Sequence, residues 1–226
     1  MSFLQTCETV DVILKAPWFS VVDSVGTFAF AFYGALRAVR LKAPIGGVVL
    51  LAAFPAVGGG LMRDLILCRH PVAFLTTPLY GFIILLAVYF VRFIDRKTNN
   101  PSLFEESFWM RWVFPAMDAL GLAAFTVLGI AVSSLKGLCP LWVWGPFFGC
   151  LTSCGGGILS GLLMEGSAFL VRPNQDLRVA VPGSILLSGL FCYFNTSGTS
   201  VSVNLIVALG MIGIFASRFF IFLMKR

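Results

Sequence analysis

Ala56-Val57-Gly58-Gly59-Gly60-Leu61-Met62-Arg63-Asp64 places three consecutive glycines in an apolar run and follows them with a charged pair. Upstream lie Asp23-Ser24-Val25-Gly26 and Gly34, and the whole set returns as Asp118-Ala119-Leu120-Gly121, Gly129 and Gly155-Gly156-Gly157. The interval is 95 residues for the first landmarks and 97 for the glycine triplets. Each copy also carries three apolar segments of membrane-spanning length. An odd number of spans turns the second copy upside down in the bilayer. An inverted repeat with a glycine-broken helix in each half is an architecture for moving solutes across membranes.

Composition agrees with this. Of 226 residues, 58% are hydrophobic and 12% charged, leaving no room for a large soluble domain beside seven spans. Those spans are expected at 19–38, 45–66, 79–94, 110–132, 140–164, 179–195 and 200–222. Helices are expected because lipid cannot satisfy an open backbone, and the alternating segments of about ten residues that mark a β-barrel are missing. The fold class is therefore all-α integral membrane, two inverted three-helix repeats plus a seventh helix. The expected layout is an external tail (1–18), a first repeat (19–94), a polar cytoplasmic linker (95–109), a second repeat (110–195), and the seventh helix with the C-terminal tail (196–226). An interfacial helix is expected near Leu103–Trp109.

The basic residues orient the chain. Lys15, Arg63, Arg69 and Lys136 fall on one side; Arg37, Arg40, Lys42, Arg92, Arg96, Lys97, Arg111, Arg172, Arg178, Arg218, Lys225 and Arg226 fall on the other. The positive-inside rule then puts the N-terminus outside and the C-terminus in the cytoplasm. The net charge of +6 is explained by these loops rather than by an anionic partner. The first residues lack a basic start and a cleavage site, so no cleaved signal peptide is expected.

Three consecutive glycines cost about 3 kcal/mol of helix propensity relative to alanine. In lipid such a weak point survives packed against protein or facing water. Close helix packing is one reading; a pathway-lining break at Gly58–Gly60 and Gly155–Gly157 is the other, favoured by their matched positions. Arg63 and Asp64 point about 100° apart as sequence neighbours and are not expected to pair. Either they snorkel at the outer headgroups, or they face an aqueous vestibule and set its field. In the second copy Ser160 and Gly161 stand in their place, so the cytoplasmic half of any pathway is expected to lack charge.

Asp23 and Asp118 suggest an intramembrane aspartyl enzyme only at first sight. A catalytic pair must lie close enough to share a proton, whereas these begin spans at opposite surfaces, on the order of half a ~30 Å membrane apart. Each suits an early helical turn favoured by the local dipole, with cation coordination at a pore mouth as the alternative. His70 stands alone, and no nucleophile motif accompanies it. Neither an enzyme, a cofactor nor a metal centre is expected. Cys7, Cys68 and Cys139 fall near the outer side, where a disulfide is conceivable; Cys150 and Cys154 share a helix face as small apolar groups. A soluble basic face for nucleic acid is missing.

The duplicated pattern Asp-x2-Gly-x7-Gly followed by Gly-Gly-Gly-x2-Arg-Asp resembles the prokaryotic trimeric intracellular cation (TRIC) channels, many of which carry a "glycine transporter" label. The resemblance covers about residues 19–222. It implies a bacterial inner-membrane protein, a homotrimer with a hydrophilic pore in each protomer, permeable to K⁺ and other monovalent cations, with kinks at the two triplets shaping it. Family members often repeat Arg-Asp after the second triplet; here Ser160 and Gly161 replace them. The leading expectation is a passive cation channel between spans two and five, with Arg63, Asp64, Ser160, Asp23 and Asp118 setting its electrostatics. A secondary carrier for a small amino acid such as glycine is the runner-up, and a membrane scaffold is the third possibility.

Overall fold

The computed structural model describes residues 17–98, 112–166, 175–197 and 203–224. Among them are seven long helices: α1 (Pro17–Arg40), α2 (Ile45–Ile66), α3 (Leu79–Thr98), α4 (Phe114–Leu135), α5 (Leu141–Glu165), α6 (Gln175–Ser197) and α7 (Val203–Met224). A single turn, Ala73–Thr76, lies between α2 and α3. The expected spans agree with these helices to within four residues at every boundary. Five of them, α1, α2, α4, α5 and α7, are long and apolar enough to cross a membrane. The last turns of α3 instead carry Arg92, Asp95, Arg96 and Lys97. Cys7 and the interfacial helix expected near Leu103–Trp109 lie outside the described residues.

Proline sets several of the helix starts. Pro17 opens α1, Pro44 and Pro140 precede α2 and α5 in extended backbone, and Pro115 sits in the first turn of α4. The first turn has no intrahelical acceptor for its N–H groups, so a residue lacking one is tolerated there. Gly166, at φ 63°, ends α5 in the left-handed region that glycine accepts without a Cβ penalty.

Interior Pro55 has a different role. It has no N–H for the carbonyl of Leu51, one turn back. That carbonyl oxygen lies against Gly34 of α1, where a Cβ would collide with it. In the second copy Gly129 of α4 meets the Phe148 carbonyl in the same way, and Thr152 Oγ1 donates to that carbonyl at 2.7 Å.

Repeat landmarks meet each other across the copies. A Cβ on Gly26 would strike the Cα of Gly121, and one on Gly121 would strike the Cα of Gly26. At the α2–α5 crossing a Cβ on Gly59 would strike the Thr152 carbonyl, and one on Gly156 the Phe54 carbonyl. Mutual contacts of this kind are what a two-fold axis between the copies produces. Small residues let backbones approach this closely, where dispersion between helices replaces the hydrophobic drive that lipid removes.

The apolar interior is correspondingly double. One cluster joins Ala31, Phe32, Ala35, Val48, Ala52 and Val88 of α1–α3; the other joins Leu122, Val127, Ile130, Leu187, Val207 and Ile214 of α4, α6 and α7. Phe30 of α1 packs against both. α7 docks on α4 and α6, outside the repeated contacts.

Candidate functional site

Both triplets lie within continuous helix: α2 and α5 run unbroken through Gly58–Gly60 and Gly155–Gly157. The expected glycine break is therefore corrected. The physical reason is that Gly59 and Gly156 each press on the opposite backbone, so packing compensates their poor helix propensity. Gly58 and Gly155 face the same crossing. Only the third glycine of each triplet opens on empty space: Gly157 would bring a Cβ within 4 Å of nothing, and Gly60 only of Arg63 Nη2 at 3.8 Å.

Those two glycines line two cavities, one on each side of the crossing. Gly60 lines a cavity of about 50 Å³ with Asp23, Thr27, Arg63, Tyr80, Phe125 and Thr152. Gly157 lines one of about 290 Å³ with Tyr33, Arg37, Asp118, Ser160, Asp176 and Arg218, and with Phe30 and Pro55. The linings correspond through the repeat: Asp23 with Asp118, Gly60 with Gly157, Arg63 with Ser160, Tyr80 with Asp176, Phe125 with Phe30, Thr152 with Pro55. Phe30 lines the larger space and Phe125 the smaller, and their rings, tilted by 46°, have centroids 5.4 Å apart.

In the smaller cavity the hydroxyl of Tyr80 donates to Asp23 Oδ2 at 2.7 Å. Arg63 and Asp64 are 1% and 0% exposed, so neither snorkels. Contrary to the expectation that neighbours cannot pair, Arg63 Nε donates to Asp64 Oδ1 at 2.9 Å and its Nη2 lies 2.8 Å from the same oxygen. The arginine stem is long enough to bring its guanidinium to the neighbouring carboxylate, and a buried charge left without a partner is costly. Asp64 Oδ2 accepts the backbone N–H of Ala73 at 2.9 Å, fastening the turn after α2. Asp64 is thus a structural anchor. Arg63 Nη1 is buried with no hydrogen-bond partner among the described residues, beside the cavity.

The larger cavity corrects a second expectation. The half of the molecule that holds Ser160 was expected to lack charge, yet Asp118, Asp176, Arg37 and Arg218 all line it. Arg218 Nη2 lies 3.1 Å from Asp118 Oδ2 and 2.6 Å from Asp176 Oδ1. Arg37 pairs with Glu165 at 2.5 Å. The arginine absent after Gly157 is supplied in space by α7. Asp23 and Asp118 line different cavities, one partnered by Tyr80 and the other by Arg218, and form no catalytic pair.

Tyr80, Asp176, Arg218 and the Phe30–Phe125 pair escaped the sequence reading. Two signals could have found them. Tyr80 and Asp176 are 96 residues apart, between the 95- and 97-residue intervals of the other landmarks. Arg218 is a charge inside an apolar span, a position that marks function by default. Cys68 and Cys139 are free thiols, and Cys154 is buried in the core.

The family described as "Glycine transporter" matches residues 20–96 and 115–196, which are the two copies. A "UPF0126 membrane protein" of Vibrio cholerae is 27% identical over 216 residues, covering 94% of this chain and 86% of its own. The "UPF0126 inner membrane protein YadS" of Escherichia coli is 26% identical, covering 87% of this chain and 90% of its own. Among solved structures, the trimeric intracellular cation channel orthologue from Rhodobacter sphaeroides superposes with a TM-score of 0.74 at 27% identity, over 93% of this chain and 100% of that one. A chain whose described elements are all helices, with apolar spans and this duplicated plan, is a bacterial integral membrane protein; it belongs to the Glycine transporter family and shares the fold of the TRIC channels.

Proposed function

We propose that the chain is a monovalent cation channel, permeable to K⁺, with a conduction path inside each protomer of a homotrimer. The path runs from the Asp118 cavity to the Asp23 cavity between α2 and α5. The carrying observation is the pair of repeat-related cavities, each lined by an acid, whose linings touch through Phe30 and Phe125. Acidic side chains at the mouths favour cations. The conformation described here is closed, with the Phe30–Phe125 pair and the Gly59–Gly156 crossing as the barrier. Opening requires α2 and α5 to part where their backbones touch. The cytoplasmic surplus of Lys and Arg supports an N-terminus outside, which puts the Asp118 cavity on the cytoplasmic side. The trimer and the cation selectivity are supported by the solved relative, a trimeric intracellular cation channel. The membrane lipid is its solvent, and nothing in its chemistry calls for nucleic acid.

Pure protein in planar bilayers tests this reading. Cation-selective current that reverses at the K⁺ equilibrium potential is the expected result; silence at all voltages and Ca²⁺ levels removes it. One observation favours the carrier for a small amino acid such as glycine. The Asp118 cavity joins carboxylates and guanidinium groups in about 290 Å³, room for a zwitterion. Saturable uptake coupled to H⁺ or Na⁺ would support the carrier, and ohmic flux the channel.

A further inference from the structure

The arginine of the Asp118 cavity comes from outside both copies. In the Asp23 cavity the guanidinium belongs to Arg63, three residues after Gly60 on α2, fully buried and tied to Asp64. At the corresponding place on α5, three residues after Gly157, stands Ser160. Ser160 is 2% exposed and lines the cavity, and its Oγ has no hydrogen-bond partner among the described residues. Arg218 enters from α7 and bridges two carboxylates at once, 3.1 Å from Asp118 and 2.6 Å from Asp176. Two carboxylates thus share one guanidinium. Arg37, also in the lining, is neutralised by Glu165.

Two carboxylates and an unpartnered hydroxyl are oxygen donors of the kind that receive a hard cation. A guanidinium in their midst is a cation already in place, carried on a side chain. Arg218 keeps 16% of its side chain exposed, whereas Arg63 keeps 1%. We infer that Arg218 is a tethered cation lodged in a binding site for the permeant monovalent ion, formed by Asp118, Asp176 and Ser160, and that its withdrawal frees that site for K⁺. The inference rests on the cation-channel reading above.

Arg218→Gln removes the charge and keeps a polar stem. Thermal unfolding in detergent is followed while K⁺ replaces choline at constant ionic strength, and K⁺ flux is measured in liposomes. Wild type is expected to unfold alike in both salts. R218Q is expected to be stabilised by K⁺ and not by choline, saturably as K⁺ rises, and to pass K⁺ faster than wild type. Arg218→Lys, a point charge that reaches only one carboxylate, gives an intermediate response. Adding Asp176→Asn to R218Q abolishes the K⁺ effect. Folded R218Q without a K⁺-specific shift, or a shift that survives Asp176→Asn, overturns the inference. Should R218Q fail to fold, an R218K response no larger than wild type overturns it. Flux in wild type with no effect at Arg218 leaves the channel standing and removes the tethered ion; K⁺-specific stabilisation without flux in any variant keeps the site and removes the channel.

Discussion

Replacing Gly157 by leucine separates a conduit from a packing motif, and the structure supplies the magnitudes. A Cβ at Gly157 meets nothing within 4 Å, so folding is not obstructed. Leaving glycine inside a helix is worth up to ~1 kcal/mol of propensity, so Gly157→Ala stabilises slightly and Gly157→Leu is close to neutral. The leucine side chain has four carbons, each about the size of a water's ~30 Å³ share of liquid. It therefore displaces roughly 100 Å³ or more by that measure, from a cavity of about 290 Å³. Gly59→Ala is the counterpart. Its Cβ would land on the Thr152 carbonyl oxygen and lie 2.8 Å from that of Leu151. Backbone cannot turn aside as a side chain does, so overpacking of about 1–3 kcal/mol outweighs the propensity gain. The assays are thermal unfolding and oligomeric state in detergent, with K⁺ flux in liposomes. Gly157→Leu is expected to keep the wild-type oligomer and lose most flux; Gly59→Ala is expected to lose stability and assembly together. Undiminished flux through a folded Gly157→Leu protein, or its collapse in step with Gly59→Ala, would refute the reasoning.

Three further substitutions probe the surrounding side chains. Asp64→Asn leaves the fully buried Arg63 without its counter-ion and should destabilise by about 3–5 kcal/mol, read by thermal unfolding; a neutral result would show that Arg63 is solvated. Tyr80→Phe removes the hydroxyl that donates to Asp23 and is expected to cost roughly 1.5–3 kcal/mol, with altered K⁺ conductance if the Asp23 cavity lies on the path. Phe125→Ala removes one half of the ring pair between the cavities; open probability in planar bilayers should rise, although the lost packing lowers stability by up to ~3–5 kcal/mol, and an unchanged open probability would place the barrier elsewhere.

Membrane class, the duplication and the helix limits were all legible in the chain. They depend on local quantities: runs of apolar residues long enough for a bilayer, proline at helix starts, and landmarks at a constant interval. Gly26, Gly34, Gly59 and their counterparts could be located from the repeat, but not what faces each of them. That depends on helix rotation and crossing depth, which only the packed bundle sets. For the same reason the triplets looked like breaks: propensity alone predicts a weak helix at Gly58–Gly60, while contact with the opposite backbone keeps it whole. Arg63 and Asp64 looked unable to pair because sequence spacing gives the direction of a Cβ and not the reach of a guanidinium beyond it. Arg218 shows the limit most clearly. It lies 100 residues from Asp118 and 42 from Asp176, and in the chain it reads as one more basic residue near a membrane surface. Only the docking of α7 on α4 and α6 brings its charge to two carboxylates, because a charge held in so little water settles wherever tertiary structure leaves an opposite one within reach.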